Sequence, residues 1–308
     1  MSALAFTLVA LALVGPVPTL LARASWPMRA PRAAVVLWQS IAVAAVLSAF
    51  SAGVAIASRL LVPGPDGRPT ATITSEIAVL GWPLWLSYIL VFALTLLIGA
   101  RLVLAVVQVA IATRRRRAHH RMVVDLLGEH RHGMSGLRVL DVAAPIAYCL
   151  PGVRSRVVLS EGTLSALTDT ELVAILSHER AHLRARHDLV LEAFIAVHTA
   201  FPRFVRSGSA LTAVRLLVEL LADDAAVRTA GPAPLARALV ACASARTPYG
   251  ALAAGGPTTV LRVRRLSGRP NSLLLSFTAY TAAAAVLVVP TVAVAVPWLT
   301  EVHRLLSL

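Results

Sequence analysis

Residues 171–187, ELVAILSHERAHLRARH, hold the side chains best able to do chemistry. His178 and His182 stand four apart with Glu179 between them, giving H-E-x-x-H in a run of good helix formers. On an α-helix, i and i+4 lie one above the other on one face, so both imidazoles can reach a single metal ion. Glu179 sits beside them, placed to work on a water polarised by that ion. Imidazole pairs suit Zn²⁺, and this spacing is the one used in zinc-dependent peptide hydrolysis.

A catalytic zinc needs three protein ligands and one open position. His187 follows His182 too closely to come round to the metal on a continuous helix. Asp188 occupies the third-ligand position of the longer H-E-x-x-H-x-x-G-x-x-H pattern, but Ala185 stands where that pattern turns on a glycine. Glu192 reaches the metal only if the chain reverses sharply. Glu219 is the best candidate: it lies in VELLADDAA, on a separate helix, with Asp223 one turn later on the same face. Asp223 can then accept a hydrogen bond from a ligand histidine and fix its ring. The flanking Leu216, Leu217, Leu220 and Leu221 favour a buried carboxylate over a solvated one.

The elements that position these groups can be read around them. Thr168 and Glu171 form a capping-box signature that starts the motif helix just before Leu172, Val173, Ile175 and Leu176. LRVLDVA and IAYCLPG read as short strands, the second broken at Pro151-Gly152, and RVVLS over 156–160 as another. Helices are expected at about 188–201 and 209–228, with a further one starting near Pro234. Strands followed by helices argue for an α+β domain.

The chain as a whole is 57% hydrophobic and 14% charged, far from an ordinary soluble domain. Its apolar residues fall in four blocks long enough to span a bilayer. The blocks lie at about 3–22, 33–61, 77–112 and 272–299. The third is too long for one perpendicular span; its membrane part is placed at 84–112, beyond Gly81 and Pro83, with the last turns projecting as a rod. Arg101 in that block is expected to snorkel to the interface.

The net charge of +14 is carried entirely by arginine. No aromatic-interleaved basic stripe or DNA-reading motif accompanies it, which argues against direct nucleic-acid binding. The arginines cluster instead at the block ends: Arg23, Arg29 and Arg32, the RRRR run with Arg121, and Arg262, Arg264, Arg265 and Arg269. By the positive-inside rule these segments are cytosolic, and both termini are extracytoplasmic. MSALAF lacks the positive n-region of a signal peptide, so the first block is expected to stay in the membrane. The expected division is three spans in 1–113, a cytosolic domain at 114–270, and a fourth span with a short tail at 271–308. Cys149 and Cys242 are read as reduced thiols. His119, His120, His130 and His132 are read as loop histidines rather than a second metal site, and His198 as a packing residue.

A strand ending at Pro-Gly, then VVLS, LTDTEL, H-E-x-x-H, Arg-His and E-x-x-A-D occur in the order that resembles gluzincin-type membrane metallopeptidases. Three spans before the zinc domain and one after it resemble the BlaR/MecR-type family; HtpX/Ste-type proteases place two on each side. The resemblance implies a zincin-like metallopeptidase domain in a four-helix membrane protein. It implies His178, His182 and Glu219 as zinc ligands, Glu179 as the catalytic carboxylate and Asp223 as their support. It also implies that Val157, Val158 and Leu159 form an edge strand able to hold substrate main chain by strand addition. Tyr148 and His187 are the only candidates for stabilising an oxyanion, and structural roles suit both better. After the last span comes EVHRLLSL, where BlaR/MecR sensors carry a penicillin-binding domain, so β-lactam sensing by the chain itself is not expected.

The resulting expectation is a multi-pass zinc metalloendopeptidase of the cell membrane, embedded in lipid, that cleaves a cytosolic protein such as a transcriptional repressor. An HtpX/Ste-type quality-control protease and a non-proteolytic signal transducer are the alternatives.

Overall fold

The computed structural model describes residues 2–57, 62–63, 69–70, 73–130, 136–152, 155–201, 208–243, 252–253, 258–268, 270–292, 296, 299–300 and 303. His132, Arg269 and the tail beyond 303 lie outside them. Among the described residues, four helices are long and apolar enough to cross a membrane. The first is made of α1 (Ser2–Val14) and α2 (Pro16–Arg23), parted at Gly15, where two nearby prolines break the ladder. The second is α3 (Pro31–Ala57).

A short α4 (Ile73–Leu80) leads to the third, α5 (Trp82–Leu127), which starts where Gly81 takes φ 77°. It runs unbroken through residue 113, so the expected domain boundary falls inside a helix. Gly53 lies against Thr95, and Gly99 against Phe50, so the two backbones of α3 and α5 approach where side chains are smallest. Leu86, Leu90, Leu96 and Val103 of α5 point outward, as a lipid-facing surface requires.

After α5 come β1 (Glu129–His130), β2 (Leu137–Leu140), β3 (Ala147–Leu150) and β4 (Arg156–Ser160). The helices that follow are α6 (Glu161–Ala166), α7 (Asp169–Arg184), α8 (His187–Ala200), α9 (Gly208–Ala230) and α10 (Pro232–Cys242). A two-residue β5 (Leu252–Ala253) and α11 (Thr259–Leu266) lead into the fourth apolar helix, α12 (Leu273–Pro290). The sheet order is β1-β2-β4-β3-β5, with β4 parallel to β2 and antiparallel to β3.

That order corrects one expectation. β4 is central, not an edge: Val157, Val158 and Leu159 are buried and pair on both sides, so they have no free main-chain edge for a substrate. Their wholly apolar run, Val-Val-Leu, is what a strand covered on both sides needs. The strand lying along α7 is mainly β3, whose outer edge is taken by β5.

The part that carries the H-E-x-x-H helix is not a detached unit. Ala34, Val35 and Trp38 of α3 pack with Phe194 of α8 and with Val214, Leu217, Val218 and Leu220 of α9 in one cluster. Ion pairs join the two parts as well. Arg117 of α5 bonds Asp188 at 3.0 Å and Glu192 at 2.6 Å, both on α8. Arg265 donates to the Met28 carbonyl and pairs with Asp224. These arginines, expected only to set orientation, are structural cross-links.

Removing Arg117 leaves Asp188, 2% exposed, with only the longer 3.5 Å contact to Arg186 in place of its main partner. Arg117→Ala should therefore lower stability by about 3 kcal/mol. Arg115→Ala, exposed in the same run, should stay within about 0.5 kcal/mol. Thermal unfolding of both variants in detergent micelles checks the difference.

Candidate metal centre

The motif helix α7 begins as its sequence demands. Glu171 accepts from the Thr168 backbone N–H at 3.0 Å, completing the capping box. Two turns on, His178, Glu179 and His182 are all essentially excluded from solvent. The His178 and His182 Nε2 atoms lie 3.2 Å apart.

Glu219 arrives from α9, which packs along α7. Its carboxylate stands 3.4 Å from His178 Nε2 and 3.6 Å from His182 Nε2. One ligand atom from each of His178, His182 and Glu219 falls within 4.8 Å of the others. Among the described residues, this is the one group of its kind.

The fit to a metal follows from the donors. Two ring nitrogens and a carboxylate oxygen face one point in a water-poor space, and His₂Glu is a donor set that catalytic zinc uses. The outer nitrogen of each histidine is also addressed. His178 Nδ1 lies 3.1 Å from Asp223, and His182 Nδ1 lies 3.0 Å from His187 Nδ1. Such contacts fix ring orientation and tautomer.

The competing third ligands go elsewhere. After Ala185 the chain turns without a glycine, Arg186 taking the left-handed region at φ 51°. That conformation costs a non-glycine residue about 1 kcal/mol. The turn swings His187 back onto His182 and sends Asp188 and Glu192 to Arg117. Tyr148 is equally committed, its hydroxyl 3.0 Å from His120 Nε2. Both oxyanion candidates thus have structural partners. His119 is exposed, and Cys149 and Cys242 are buried free thiols.

Arg262 of α11 was not legible as a site residue. It is 1% exposed and grips Asp223 with two hydrogen bonds of 2.6 and 2.8 Å. A third contact, 2.9 Å, reaches Glu219. Its neighbours Val260 and Leu261 face outward, the reverse of the usual pattern, so no hydropathy signal marks it. Its partner lies 39 residues away in the sequence.

Electrostatics follow burial and these partners. Burial pushes the Glu179 carboxyl up to about 7; the Cys149 thiol lies beside it, and neither oxygen meets a donor in good hydrogen-bond geometry. Burial drives His182 down to about 3 and His187 to about 4. For His178, burial favours the neutral ring, but Asp223 and Glu219 outweigh it and hold the pKa at about 9. Burial alone would raise Glu219, yet His182 and Arg262 bring it to about 2.

In the metal-free protein His178 therefore keeps a proton that a metal must displace. Zinc affinity should rise with pH by about tenfold per unit, levelling near the His178 pKa of about 9. Chelator-competition titrations across that range check it, and a flat profile from pH 7 to 9 would show that His178 carries no displaceable proton in the metal-free protein.

Comparison with curated proteins finds no match, and comparison with solved structures finds none. The family model described as Peptidase family M48 matches residues 112–270, from the last turns of α5 past the end of α11 and so across the whole metal centre. That match covers more than half of the sequence, and the chain belongs to peptidase family M48.

Proposed function

We propose that the chain is a membrane zinc metalloendopeptidase that hydrolyses peptide bonds of cytosolic proteins, in a signalling role of the BlaR/MecR kind. The observation that carries the hydrolytic part is the convergence of His178, His182 and Glu219 around one point, with Glu179 beside it. These three residues would hold the ion. Bound zinc supplies Lewis acidity, polarising the scissile carbonyl and lowering the pKa of water toward ~7.

The rest is done by the chain. The Glu179 carboxylate, without a well-formed hydrogen bond of its own, accepts the proton of the attacking water and passes it to the leaving amine. Asp223 holds His178 through Nδ1, and Arg262 holds Asp223 in turn. Burial of His178, Glu179, His182, Asp223 and Arg262 keeps bulk water from competing for these contacts.

Placement of the catalytic part in the cytosol rests on charge. Arg29 and Arg265 are brought to the same end of the molecule by the contacts of 28 and 29 with α11 and Ser272. The RRRR run of α5 lies beside α8 at that end, through Arg117. The positive-inside rule then puts this end in the cytosol and both termini outside. The signalling role draws on the three-plus-one arrangement of apolar helices and on the ion pairs tying them to the catalytic part. A cytosolic repressor is the substrate that such a role calls for. An HtpX/Ste-type quality-control protease would use the same centre on many substrates. A transducer that signals without cleavage would need the fold alone.

Glu179→Gln tests the reading. It should retain zinc, and protein termini produced by the wild type should fall by at least about 10²-fold in cells carrying the variant. Proteomics of cytosolic protein termini reads this. One cleaved partner supports signalling and many support quality control; unchanged termini with an unchanged cellular response would contradict hydrolysis.

A further inference from the structure

A cleft of about 780 Å³ opens between the membrane helices and the catalytic helices. α1, α3 and α5 line it, and α8 and α9 contribute Phe194, His198 and Ala210. Its lining is overwhelmingly apolar, with Leu11, Ile41, Ala45 and Leu97 typical of it. One arginine, Arg101 of α5, is among the lining residues. Arg101 stands roughly 28 Å along the helix from Trp82 at 1.5 Å per residue. Apolar helix continues on both sides of it, up to the RRRR run.

No aspartate or glutamate among the described residues lines the cleft with Arg101. A guanidinium beside hydrocarbon is costly unless an anion meets it, and such residues in membrane spans mark sites by default. Apolar walls with a single cation are complementary to an anionic head on an apolar chain. A free phosphate would leave the walls unfilled. A helical protein segment, about 10 Å across, would exhaust the volume within roughly 10 Å of its length.

We infer that this cleft binds one anionic phospholipid of the surrounding bilayer, with its phosphate on Arg101 and an acyl chain lying along the groove that α1, α3 and α5 line together. The bound lipid fills the seam between the membrane helices and α8, the helix whose first residue, His187, abuts His182. The site does not depend on hydrolysis and can be tested apart from it.

Trp38 lines the cleft and reports on it directly. The full chain, with Trp38 as its only tryptophan, is placed in phosphatidylcholine vesicles doped with brominated phosphatidylglycerol or brominated phosphatidylcholine at equal fraction. The phosphatidylglycerol should quench Trp38 with about fivefold higher apparent affinity. Arg101→Gln should erase that difference, and Ala49→Phe, which fills the cleft, should weaken quenching by both lipids. In the wild-type sequence, native mass spectrometry should show more retained phosphatidylglycerol relative to phosphatidylcholine than Arg101→Gln retains. Equal quenching by the two lipids, or a preference that survives Arg101→Gln in both measurements, would overturn the inference.

Discussion

Two carboxylates one turn apart on α9, Asp223 buried and Glu219 largely so, impose the constraint that the rest of the structure answers. Asp223 sits in a space almost free of water and Glu219 reaches solvent with only 16% of its side chain, and an uncompensated negative charge in such a place costs several kcal/mol. Positive charge must therefore be brought to them. Arg262 brings part of it, meeting Asp223 through two nitrogens and Glu219 through the third. The proton on His178 brings more in the metal-free protein, and a divalent ion between His178, His182 and Glu219 would replace it.

The compensation comes from elements tied to the membrane part. Arg262 lies on α11, the helix that precedes α12, and Arg117 lies on the continuation of α5. Arg117 fixes the start of α8 through Asp188, next to the histidine that contacts His182. The first turns of α3 share an apolar cluster with α8 and α9. The metal centre is thus clamped from two sides by chain that leads into apolar helices. A shift of α5 against α3 would have to strain α8, because packed interiors transmit displacement rather than absorb it.

Much of this was legible before any coordinates. H-E-x-x-H on a capped amphipathic helix, and Glu219 with Asp223 at i,i+4 spacing, depend on local periodicity, which sequence carries openly. The four apolar blocks are equally local. What stayed hidden depends on pairing across distance. β4 reads like any apolar strand, and only its neighbours β2 and β3 make it central and unavailable to substrate. Arg117 and Arg262 read as members of basic clusters, and only the fold shows which arginine of each cluster turns inward. A break before the helix at about 188–201 is expected from the sequence, but with Ala185 in place of a glycine nothing marks the left-handed turn at Arg186 that brings His187 onto His182.

The account stands or falls on one coordination sphere, and X-ray absorption at the zinc edge of the full-length, zinc-loaded protein examines it directly. Scattering from two imidazoles and from carboxylate or water oxygen at ~2.0–2.2 Å is the predicted result, with one oxygen contribution altered in Glu219→Gln. A single imidazole, a sphere unchanged by Glu219→Gln, or sulfur at ~2.3 Å from the neighbouring Cys149 would contradict it.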